Sequence, residues 1–119
     1  MALVSLEEAR EYLRVDSHDE DALIGILLQS AGQLCADVGR LSSQQWAAVD
    51  AVETMEDGSV LPTETDLYTE DELQELRPVI RVAMLYALGY LYEHREEADH
   101  HDLTITLRSL LFAVREGVL

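Results

Sequence analysis

His94, Asp99, His100, His101 and Asp102 form the one cluster made entirely of side chains that ligate metals or move protons. Imidazole and carboxylate together suit zinc or another divalent ion. The spacing argues against such a site. Ligands carried by one helix sit three or four residues apart so that they share a face, whereas His94 lies six residues before His100. A His-Asp metal phosphohydrolase needs further His and Asp on separate helices, and the adjacent His101-Asp102 pair is a weak signal alone. The favoured reading is a solvated hinge beside a helix end, holding neither metal nor cofactor.

The remaining candidates for chemistry have similarly plain explanations. His18 beside Asp19 sits in an acidic turn, and Ser42 and Ser43 lack the glycines of a nucleophile elbow. No Gly-Lys phosphate loop occurs. Cys35 is the only cysteine, which excludes an intrachain disulfide and a thiolate metal cage and leaves a small buried hydrophobe. Met84, Tyr86 and Tyr90 have the spacing of helix packing in a core or interface rather than of a ligand groove. Glu7, Glu8 and Glu11, and then Glu70, Asp71, Glu72 and Glu75, read as solvated helix faces, or as the lining of a channel that DNA passes without sticking. No catalytic set emerges, and the chain is expected not to be an enzyme.

Composition narrows the partners. The 119 residues suit one domain with one core. Asp and Glu number 24 against 8 cations, all of them Arg, for a formal net charge of −16. Such a surface repels phosphate backbones and anionic membranes, so sequence-specific nucleic-acid binding is not expected. Abundant acid without Lys fits a GC-rich genome or adaptation to high salt, and the acidity favours the second. The longest uncharged apolar stretch, Val82 to Tyr92, has 11 residues, short of the roughly 18 that mark a membrane span. The N-terminus opens on a polar helix signal rather than a secretion signal, so a soluble protein is expected.

These residues are placed by four amphipathic helices. Ser5 and Glu8 make a capping box for a first helix, Leu6 to about Arg14, with Leu6, Ala9, Tyr12 and Leu13 on its apolar face. A second helix starts near Asp19 and ends at Gly39, with Ile24, Leu27, Ala31, Leu34 and Val38 as its seam. Between Arg40 and Thr69 the signals weaken into an irregular insertion. Ser42 and Gln45 can cap a short helix carrying Trp46, Val49 and Val52, and Asp57-Gly58 can turn a hairpin; a helix followed by a loop is favoured. Thr69 and Glu72 cap a third main helix to about Glu97, which Pro78 is expected to kink or break. From Val79 to Tyr92 this helix is apolar nearly all round, as befits a core centre or a subunit interface. A last helix runs from about Thr104 to Glu116 with Leu107, Leu110, Leu111 and Val114 on one face. The expected architecture is a single all-α bundle over residues 1–119, with 40–69 as the insertion.

Several strings, in this order, resemble the head-tail connector (adaptor) proteins of tailed phages. They are the opening Leu6-Glu7-Glu8-Ala9-Arg10-Glu11-Tyr12-Leu13-Arg14-Val15-Asp16, the acidic turn into Asp21-Ala22-Leu23-Ile24, and Gly39-Arg40 at the end of the second helix. Leu91-Tyr92-Glu93-His94-Arg95-Glu96 is similar to that family's ending of the long helix, and Leu107-Arg108-Ser109-Leu110-Leu111 with Arg115 to its final helix. The likeness covers about two thirds of the chain and leaves out Arg40 to Thr69. It implies a structural virion subunit that forms a ring of copies, usually dodecameric, beneath the portal protein. Such a ring extends the DNA channel toward a stopper or tail-completion protein. Tyr86, Tyr90 and Leu91 are then expected in the core or subunit interface and Arg95 in an ion pair. Leu107, Leu110, Leu111 and Arg115 fall in the final docking helix. The alternative is a small acidic interaction or regulatory protein that homodimerises through the same faces; a metal-dependent phosphohydrolase comes third.

Overall fold

The computed structural model describes residues 3–51, 53–54, 60–61, 67–96 and 100–116. The fold is all-α. Its helices are α1 (Leu6–Leu13), α2 (Asp21–Val38), α3 (Ser43–Asp50), α4 (Glu70–Glu93), α5 (His101–Leu110) and α6 (Phe112–Glu116). Two very short strands, β1 (Glu53–Thr54) and β2 (Val60–Leu61), pair antiparallel with Glu53 opposite Leu61 and Thr54 opposite Val60. The insertion carries the short helix expected after Ser42, as α3, and a small ladder beyond it. Asp57-Gly58 lies outside the described residues.

Helix starts follow local chemistry. Ser5, Ser42 and Thr69 each accept the backbone N–H three residues on, while Glu8, Gln45 and Glu72 reach back to the cap's own N–H. Two orphan donors are thus satisfied at each start. The ends of α1 and α2 use a less expected device. Arg14 and Arg40 both stand at φ 59, and the bonds Val15 N–H to Arg10 C=O and Leu41 N–H to Ala36 C=O, at 3.0 and 2.9 Å, close a Schellman turn around each. Gly39, which precedes this turn, keeps a right-handed conformation at φ −75. Its missing side chain matters for space instead: a Cβ there would lie 3.0 Å from Cys35 C=O and 3.3 Å from Val114 Cγ1.

α4 is the hub, packing on α1, α2, α3 and α5, with α2 as its principal partner. Small residues on α2 (Ala31, Gly32, Cys35, Ala36) face Ala83, Met84 and Ala87 of α4 in the same core. That lets the two backbones approach closely. A Cβ on Gly32 would sit 2.9 Å from the Trp46 ring, so α3 is docked over this seam. Leu88 and Leu91 of α4, Leu103 and Leu107 of α5 and Leu111 complete the buried cluster, joined from the N-terminal side by Val4 and Ala9. Burial pushes the Cys35 thiol up to about 12, leaving it protonated at neutral pH.

Two expectations about helix continuity are corrected. Pro78 does not break its helix, which runs unbroken from Glu70 to Glu93. Leu73, Leu76, Arg77 and Ile80 are buried on both sides of it, while Pro78 and Gln74, whose carbonyl loses its donor, are exposed to water. Packing on one face outweighs the lost bond on the other. The last helix begins earlier than expected, at His101, and is interrupted at Leu111 (φ −102, ψ 14). The bend keeps Leu111 fully buried and sets Val114 against Gly39.

Two arginines one turn apart on α4 fasten the other elements. Arg77 is 6% exposed. Its Nε donates to Val49 C=O at 3.0 Å, and one terminal nitrogen donates to Ala48 C=O at 3.1 Å and Ala51 C=O at 2.7 Å. It thereby caps the negative end of α3. Burial pushes its pKa down, yet a guanidinium keeps its proton in proteins. Arg81 donates to Leu3 C=O at 3.2 Å and pairs with Glu8. Burial works to raise the Glu8 carboxyl, but hydrogen bonds from Arg81 and the Ser5 backbone and the nearby Arg81 charge hold it below its ordinary value.

Arg77→Ala should destabilise the chain by about 2–4 kcal/mol in urea unfolding, because three carbonyls lose a charged donor in a buried place. Amide exchange should quicken first in 43–51. An unchanged unfolding midpoint would mean that water replaces the guanidinium without loss.

Candidate assembly surfaces

Of the histidines at the hinge expected to be solvated, His94 and His100 join an aromatic stack on Tyr90. His94 lies on Tyr90 at 4.1 Å between ring centroids with an interplanar angle of 16°, and His100 meets the same ring edge-on at 6.0 Å. His94 Nδ1 is 2.9 Å from Tyr90 C=O. His100 Nδ1 is buried and makes no hydrogen bond, and the His100 carbonyl accepts from Thr104 Oγ1 at 3.2 Å. Thus the histidines join α4 to α5 by ring packing. Among the described residues no three His, Cys, Asp or Glu side chains gather as metal ligands. Asp99 lies outside the described residues.

The acidic turn between α1 and α2 is also structural. His18 Nδ1 approaches Asp21 Oδ2 at 2.9 Å, and Arg10 Nε approaches Asp21 Oδ1 at 3.4 Å. Arg10 also reaches His18 Nε2 at 3.4 Å. Together they brace the two helices across the turn.

The residues expected at an interface divide into two kinds. Leu91 is buried, whereas Tyr90 is half-buried and Tyr86 is 41% exposed. Tyr86 continues a row one helical turn apart, Pro78, Val82 and Tyr86, that faces out of α4, with Val82 58% exposed. Beside it Tyr12, expected to pack inward from α1, is instead 48% exposed and lies over Gly89. A Cβ on Gly89 would come within 3.1 Å of the Tyr12 ring. An open groove of 460 Å³ here is lined by Gly89, Tyr12, Tyr86, Tyr90 and Tyr92, with one arginine, Arg14, and one acid, Glu93. Tyr92 is held there by a hydrogen bond from its hydroxyl to Glu20, which raises its pKa together with burial.

Arg95 is not ion-paired among the described residues. Its guanidinium lies 4.8 Å from the Tyr92 ring centroid and donates to Tyr92 C=O, a cation–π contact in place of the expected pair. Nor does the final helix form one docking face. Leu107 and Leu111 are fully buried core residues, Leu110 is 36% exposed, and Arg115 is half-buried in a cleft with Arg40, Tyr68 and Glu72. The outward apolar side chains here are Ile105 and Phe112, exposed by 50% and 59%. Phe112 was hidden in the sequence because the run Leu110-Leu111-Phe112-Ala113-Val114 contains more apolar positions than one face needs. That excess is the readable signal.

Leu107→Asp should abolish cooperative unfolding, since a carboxylate would enter the core without a partner. Leu110→Asp should lower stability by less than about 1 kcal/mol. Circular dichroism melts of the two variants compare them directly; equal losses would contradict the assignment of Leu110 to the surface.

Compared with known proteins, the chain matches no family model, no curated protein and no solved structure.

Proposed function

We propose that this chain is a structural subunit of a tailed virus, a head-tail connector (adaptor) that assembles as a ring beneath the portal and extends the DNA channel toward the tail. The observation that carries the reading is that large apolar side chains stay exposed on several elements at once: Tyr12 on α1, Ile26 on α2, Val82 and Tyr86 on α4, Ile105 and Leu110 on α5 and Phe112 on α6. A two-fold dimer needs one self-complementary patch, whereas a ring needs two different patches that meet head to tail. The homodimer alternative leaves some of these exposed side chains without a use. Large apolar side chains scattered singly require no explanation, but rows of them on neighbouring turns mark association.

Three further features support the role. The connector-like strings fall on α1, the α1–α2 turn, the end of α2, the end of α4 and α5. The potential ligands and nucleophiles of the sequence, His18, Cys35, His94 and His100 among them, are engaged in bracing, core packing and ring stacking. The surface is acidic: Glu7, Glu11, Glu70, Asp71, Glu72 and Glu75 are all exposed. A ring lined by such carboxylates repels the phosphates of passing DNA, which favours transit over binding. On this reading the portal and a stopper or tail-completion protein are the outer partners, and the site of action is the virion neck.

Charge sets the conditions for assembly. Each copy carries −16, so neighbours repel until salt screens them. The Debye length falls from about 10 Å at 0.1 M to about 3 Å at 1 M, shorter than the gap between most acidic faces of adjoining copies. Sedimentation velocity from 0.1 to 3 M NaCl should show self-association strengthening by at least about tenfold, worth about 1.4 kcal/mol. Added portal rings should bind the chain over the same range. Assembly strongest in dilute buffer and falling with salt would show that specific ion pairs outweigh the net repulsion.

A further inference from the structure

We draw no further inference here: the strongest candidate, the tyrosine-lined groove between α1 and α4 with Val82 exposed beside it, carries nothing, because nothing in the structure shows what covers it.

Discussion

The buried guanidinium of Arg77 is the interaction on which the arrangement of the smaller elements depends. An unpaired charge at 6% exposure would be strongly unfavourable, so Arg77 fixes where α3 must end: its Val49, Ala48 and Ala51 carbonyls have to converge on one point of α4. Four residues on, Arg81 does the same for the N-terminal segment through Leu3 and Glu8. Leu3 in turn donates its N–H to Asp50 at 3.0 Å, at the last turn of α3. The N-terminal segment, α3 and α4 are thus linked in a closed circuit of polar contacts laid over the apolar seam of α2 and α4. Position in that circuit also sets which faces of α4 remain outside it, and Pro78, Val82 and Tyr86 are on the side left over.

Charge and fold are coupled through the same residues. Of the eight arginines, Arg77 is buried, Arg81 and Arg10 are engaged with Glu8 and Asp21, Arg14 and Arg40 occupy helix ends in the left-handed region, and Arg95 is laid over Tyr92. Arg14, Arg40, Arg95 and Arg108 are exposed, too few to offset the exposed carboxylates. On the ring reading proposed above, neighbouring copies repel one another at long range and are held only by short-range apolar surfaces. Such a balance suits a part that must join its partners in a set orientation and leave DNA unbound.

Legibility in the sequence followed the range of the interaction. The capping boxes at Ser5, Ser42 and Thr69 span three residues and were readable directly. So were the seam of α2 and the buried fate of Cys35, because periodicity reports which face is apolar, whereas Leu107 was assigned to a docking helix and is core. What periodicity does not report is whether a face has a partner, so Tyr12 read as inward and Phe112 went unnoticed. Pro78 was misjudged since its local cost is offset by Leu73, Leu76 and Ile80, contacts that no window of sequence contains. Arg77 gave no signal at all: its carbonyl partners lie 26 to 29 residues away. The hinge histidines were expected from spacing to be solvated, and their stacking on Tyr90 joins the end of α4 to the start of α5 in a way that spacing does not report.

If this chain is an assembling part, as proposed above, its function lies in the symmetry of what it builds. Electron cryomicroscopy of the purified full chain in molar salt tests that most directly, because class averages display symmetry without any assumption about the contact. The result expected is closed rings of identical subunits related by rotation about a central channel. Particles no larger than a monomer, or compact two-fold dimers without a channel, would contradict it.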